Sequence, residues 1–135
     1  MSYVLDTSAV CALLEGNRLA VTRLDIAGKL AVSVPEPVWA ELAYQLARLP
    51  RSDQKEVLAA RCRILRDELR RAPWSDRVSE QFAFIKCGLE GRCARMDDRD
   101  VTVAAHALAA GAVLVTRHTE RMALVEGLEV EDWGR

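Results

Sequence analysis

Apolar and polar positions along the chain form short blocks whose period switches several times. Tyr3-Val4-Leu5 is an apolar run that stops at Asp6, the pattern of a strand buried on both faces. From about Ser8 the spacing turns helical, with Val10, Leu13 and Leu14 inward, until Gly16-Asn17 stops it. A second helix is predicted to about Ala27, after which Gly28-Lys29 turns into Leu30-Ala31-Val32-Ser33, a second short strand. Ser33 and Glu36 stand at capping-box spacing, the prolines at 35 and 37 suit a helix start, and Val38, Leu42, Leu46 and Leu49 carry a third helix to Pro50.

The helical period resumes at Ser52, where one long helix is predicted with Leu58, Cys62, Leu65 and Leu69 on a common face and Arg63, Arg66, Asp67 and Arg70 turned away. Pro73 ends it. Ser75 reads as the next N-cap, ahead of the stripe Val78, Phe82, Ile85 and Leu89. A charged loop from Gly91 to Asp98 leads into an alanine-rich helix from Val101 to Ala110, closed by Gly111. Ala112 to Thr116 is the clearest strand in the chain, and a short helix near Thr119–Leu124 and a strand near 128–130 complete the pattern. Alternating strands and helices predict an α/β fold: a three-layer α/β/α sandwich around a central, mainly parallel sheet of four to five short strands, read as one domain over residues 1–135. Such sheets carry their sites at the carboxyl ends of the strands.

Composition adjusts this picture in three places. Half of the 135 residues are hydrophobic and 29% are charged, the mixture of a folded globular chain rather than a disordered one. A formal net charge of −1 provides no global basic field for nucleic acid, although a nuclease site must itself be acidic to hold a cation. The cysteines, Cys11, Cys62, Cys87 and Cys93, form no C-x-x-C pair, so free thiols are expected. No basic-then-apolar leader opens the chain and no apolar run reaches spanning length, which points to the cytoplasm.

Three acids then draw attention. Asp6 sits where the first strand ends, either as a cap for the helix that follows or as part of a site. Glu41 lies one turn inside the third helix, beside its apolar stripe. Asp100 stands in the first turn of the alanine-rich helix, where it also offsets the helix dipole, with Asp97 and Asp98 close enough to compete. Carboxylates gathered at one strand end repel and need a cation, and hard oxygen donors select Mg²⁺ or Mn²⁺. Such an ion suits in-line hydrolysis of a phosphodiester. Spacing permits this meeting of acids and does not require it.

Five segments in order resemble the PIN-domain family, and within it the VapC toxins. They are Tyr3-Val4-Leu5-Asp6-Thr7-Ser8-Ala9, Pro37-Val38-Trp39-Ala40-Glu41-Leu42, Asp100-Val101-Thr102-Val103-Ala104-Ala105-His106-Ala107, Leu114-Val115-Thr116-Arg117, and Leu128 through Trp133. The resemblance implies that Asp6, Glu41 and Asp100 are metal-binding acids, Glu41 in part through water, with Asp98 a further candidate. It places Thr7 or Ser8 beside the cluster and makes Thr116 a residue that orients it. It also implies RNA as substrate, endonucleolytic hydrolysis with Mg²⁺ or Mn²⁺, a homodimer and a small cognate antitoxin as partner.

One position departs from the family. His118 stands where Asn or Asp is common after the Thr-Arg pair; as a neutral imidazole it can bind a metal or the attacking water, or it can simply cap the short helix. Glu120 is a candidate for the missing charge. His106 is read as a packed core histidine. The arginines of the long helix and of the 92–99 loop face RNA phosphates or form a solvated surface. His118 also keeps open a PIN fold without chemistry, acting as an RNA- or protein-binding regulatory module. A phosphatase of the haloacid dehalogenase type would need an acid at Ser8, and a response-regulator receiver a lysine after Lys86, and both are missing.

Overall fold

A computed structural model describes all residues, 1–135. The elements run β1 (Tyr3–Leu5), α1 (Thr7–Leu14), α2 (Arg18–Ala27), a 3₁₀ turn (Lys29–Ala31), β2 (Val32–Pro35), α3 (Glu36–Arg48) and α4 (Asp53–Glu68). They continue as β3 (Arg70–Ala72), α5 (Asp76–Gly91), α6 (Asp98–Ala110), β4 (Val113–Val115), α7 (Thr119–Met122) and β5 (Val130–Glu131). The five strands form one sheet in the order β3-β2-β1-β4-β5, and every neighbouring pair is parallel. Helices α1 to α4 pack among themselves, and α5 packs with α6, which lies on β1 and β4. This is the expected α/β/α sandwich. No helix is long and apolar enough to cross a membrane.

The core follows from the central strands. Val4 and Leu5 of β1 and Leu114 of β4 are fully buried, as strands covered on both faces require. The alanines of α6 (Ala104, Ala105, Ala107) are likewise buried and let that helix approach the sheet closely. Gly111 ends α6 in the left-handed region at φ 62°, where a side chain would be strained.

Four expectations need correction. Leu30 and Ala31 lie in the 3₁₀ turn, and the second strand is Val32–Pro35. The Ser33–Glu36 capping box does not form, because Ser33 sits in that strand and Pro35, which has no side-chain cap to offer, precedes the helix. The long helix does not reach Pro73: it stops at Glu68, and Arg70–Ala72 pairs with β2 as an edge strand, Pro35 against Ala72. Its apolar face is also shallower than the pattern implies, since Leu58, Cys62 and Leu65 are only half-buried. The alanine-rich helix begins earlier, at Asp98, with Asp97 as its cap. All four cysteines are free thiols.

Leu114, fully buried at the centre of β4, tests this core. Leu114→Ala should destabilise the fold by about 2–5 kcal/mol, read from the midpoint shift in urea unfolding. A loss below about 1 kcal/mol would contradict its placement.

Candidate active site

In the order β3-β2-β1-β4-β5 the chain leaves β1 to build one side of the sheet and returns beside it as β4 to build the other. The crevice outside the carboxyl ends of β1 and β4 is therefore the switch point where ligands bind in open parallel sheets. Leu5 pairs with Val115, so the next residues on the two strands, Asp6 and Thr116, meet there. The Asp6 amide donates to the Val115 carbonyl at 3.1 Å, and both Asp6 and Thr116 are buried.

Each oxygen of Asp6 has a partner. Oδ1 accepts from the Ala9 amide at 2.9 Å and from the Ser8 hydroxyl at 2.7 Å, so Asp6 does cap α1. Oδ2 accepts from the Thr116 hydroxyl at 2.5 Å. The network continues outward: the Arg117 amide donates to Ser8 Oγ at 3.0 Å and the His118 amide to Thr116 Oγ1 at 3.0 Å. Capping and site placement are thus one arrangement, with one carboxylate holding a helix end, a strand end and a loop.

The other expected residues come to the same place. An open cleft of about 1050 Å³ is lined by Asp6, Glu41, Asp98, Asp100 and His118, and by Ser8. Glu41 projects from α3 and accepts from Arg99 at 2.9 Å and from Gln45 at 3.3 Å. Asp100 is gripped by the Arg121 guanidinium, Nε to Oδ2 at 2.7 Å and Nη2 to Oδ1 at 3.3 Å, a forked pairing. Asp98 pairs with Lys86 at 3.0 Å. Asp97 caps α6, and the Arg99 amide and guanidinium hold its carboxyl below its ordinary range. No three acid, histidine or cysteine side chains gather at ligating distance, because arginines hold Glu41 and Asp100 in separate ion pairs.

The fourth position resolves in part. His118 occupies the N-cap position of α7 but makes no side-chain cap bond, and it is exposed in the cleft. Glu120 does not line the cleft; Arg121, one residue on, does. His106 is buried against Trp74, ring centroids 5.5 Å apart and perpendicular, as a packed histidine should be. Its Nε2 has no hydrogen-bond partner, and burial pushes the imidazole below its ordinary value of 6.5. Sequence reasoning missed Arg117 and Arg121, and also Trp74 and Phe82, all of which line the cleft. Arg121 reaches Asp100 across 21 positions, a separation no local pattern signals.

Five parallel strands with an acidic cleft at the switch point define a doubly wound α/β protein. The chain belongs to the PIN-domain family, whose model matches residues 3–126. Ribonuclease VapC2 of Rickettsia felis is 25% identical across the full length of both chains. Among solved structures, VapBC2 of Rickettsia felis bound to a promoter DNA fragment aligns with a TM-score of 0.86 at 23% identity, covering 98% of this chain and 99% of that one. DNA-bound VapBC of Salmonella typhimurium aligns with a TM-score of 0.87 at 19% identity, covering 98% of each.

Two expectations test this geometry. Thr116→Val removes the donor to a buried carboxylate and should cost about 1–3 kcal/mol in urea unfolding, well beyond a surface threonine control. The second concerns acid. As pH falls through about 6.5 the unfolded chain protonates its histidine while buried His106 stays neutral, so the stability present above that pH is progressively lost below it. His106→Gln should flatten the difference in stability between about pH 7.5 and pH 5.5, and an unchanged slope would contradict the assigned burial.

Proposed function

We propose that this PIN-domain chain is an endoribonuclease that hydrolyses RNA phosphodiesters with a divalent cation, Mg²⁺ or Mn²⁺, and serves as the toxin of a toxin–antitoxin pair. The observation that carries the reading is the convergence of Asp6, Glu41, Asp98 and Asp100 on one cleft at the β1/β4 switch point. The similarity to a VapC ribonuclease supports the choice of RNA. The VapBC structures it resembles support a small antitoxin as partner, and a homodimer belongs to the same reading.

The donor set fits a hard cation: Asp6, Glu41, Asp98 and Asp100 are among six carboxylates that line the cleft, and the Thr116 and Ser8 hydroxyls adjoin Asp6, so oxygen donors dominate. Asp6 and Asp100 would hold the ion directly, Glu41 through water, with Asp98 at the margin. When bound, the ion lowers the pKa of water and neutralises charge on the phosphodiester. The chain does the rest. Thr116 and Ser8 fix the rotamer of Asp6, as outer hydrogen bonds do for ligating carboxylates. Arg99 and Arg121 occupy Glu41 and Asp100 as internal countercharges and, once displaced, are placed to pair with RNA phosphates. Exposed in the cleft, His118 is free to bind the attacking water.

Cleavage of a structured RNA, compared in Mg²⁺, Mn²⁺ and EDTA, tests the proposal. Wild type should cut only with the cation, and Asp6→Asn, purified identically, should not cut. Thr116→Val should retain activity reduced about 10- to 100-fold. Equal cutting by wild type and Asp6→Asn would sink the assignment of Asp6.

A further inference from the structure

The apolar side of the cleft has a feature that the acid cluster does not use. Trp74 is 50% exposed, whereas Trp39 and Trp133 are 2% and 3% exposed. It follows Pro73 just beyond β3, which runs parallel to β2, so it emerges at the same end of the sheet as Asp6 and Thr116. Both Trp74 and Phe82 line the cleft together with the acids.

Leaving an indole half in water costs free energy, yet this one is held rather than loose. Its Nε1 donates to Ser79 Oγ at 2.6 Å. It meets the buried His106 ring edge to face at 5.5 Å, and the Phe82 ring lies 6.3 Å away at 45°. Three other rings carry a cation: Arg48 lies over Tyr44, Lys86 over Phe82 and Arg23 over the buried Trp133. None stands over Trp74, a half-exposed ring that lines the cleft.

The distance suits a nucleic acid. His106 follows Asp100 by six positions on α6, which sets the Trp74 platform roughly 9 Å along the helix axis from the acid. At roughly 3.4 Å per charge along one stacked strand, that is about two to three nucleotides from a phosphate at the acids, and fewer where the strand is extended. Arg95 and Arg99 line the same cleft and provide charge for the backbone between them. An aromatic ring beside cationic side chains is the usual device for holding unpaired bases.

We infer that Trp74 is a base-stacking platform of the RNA site: an unpaired base flanking the cleaved phosphodiester stacks on its indole while the phosphate sits at the acid cluster. This rests on the ribonuclease reading and adds to it a residue that holds the substrate beyond the acid cluster. Trp74 is therefore a substrate-binding residue, remote from the bond that breaks.

The test uses the full chain carrying Asp6→Asn, so that the probe survives, and a mixed-sequence single-stranded RNA of about 12 nucleotides containing 2-aminopurine. Because the other two tryptophans are buried, quenching of intrinsic fluorescence by RNA reports on Trp74. Binding should quench both the indole and the 2-aminopurine. Trp74→Leu should weaken binding about 5- to 100-fold, while Trp74→Phe should stay within about threefold, since a phenyl ring stacks and an isobutyl group only packs. Thermal unfolding of each variant checks that the fold is kept.

Leu and Phe variants that bind alike, or RNA binding without indole quenching, would overturn the platform. If wild type still cuts RNA with Mg²⁺ in that case, the ribonuclease reading stands and the stacking role alone falls. If wild type neither binds nor cuts RNA, the ribonuclease reading fails and takes the platform with it. A change in oligomeric state in Trp74→Leu without loss of RNA binding would make this surface a subunit contact instead, and would also overturn the inference.

Discussion

A carboxylate buried between two strand ends is costly unless every lone pair facing the protein is satisfied. Asp6 meets that condition through three donors from three parts of the chain: the first turn of α1, Ser8 within it, and Thr116 at the end of β4. The third joins residues 110 positions apart and ties the first strand to the fourth just where the sheet changes direction. The position of the Asp6 carboxylate is therefore set by the same contacts that close the sheet. Mobility at the site must come from elsewhere.

It comes from the helices. Glu41 projects from α3 and Asp100 from α6, elements on opposite sides of the sheet, and each is matched to a guanidinium that is largely in water. The Arg99 side chain is 71% exposed, so its single contact with Glu41 is weak and exchangeable; Arg121, 48% exposed, holds Asp100 more firmly through its forked pairing but remains open to solvent. Arg99 is also shared between Glu41 and Asp97, whose combined charge makes its own proton harder to lose. The cleft thus combines one rigid buried acid with two acids whose countercharges can be displaced by a stronger cation. Four arginines, Arg95, Arg99, Arg117 and Arg121, line the cleft beside its acids, so the local charge balance is set there by ion pairs rather than by the net charge of the chain.

How much of this could be read from the residues depended on burial. β1 and β4 were legible because both faces are covered and the apolar runs end abruptly at Asp6 and Thr116. The acid at the end of β1 followed from the strand-end rule, and the site roles of Glu41, Asp100 and Thr116 from the order of short family segments. β3 was not legible: Arg70-Arg71-Ala72 has exposed arginines and no alternation, as an edge strand tolerates. Helical propensity thus ran on to Pro73 in the reading. Ser33 was misleading for a different reason: its capping pattern was overridden because Val32–Pro35 pairs on both sides, between β1 and β3.

Losing β3 in the sequence had a consequence at the site. A Pro-Trp pair after a helix reads as a helix stop and an incidental aromatic, whereas the same pair after a parallel strand stands at the functional end of the sheet. Trp74 became visible as part of the cleft only once Ala72 was paired with Pro35. The arginines were invisible for a related reason, since Arg121 and Asp100 share no helix and only the tertiary placement of α7 brings them together. Residues carried by core strands announce themselves by periodicity, while those carried by edges and short helices depend on tertiary placement. In this cleft the first group supplies the fixed acid, and the second supplies the arginines and the aromatic rings that line the rest of it.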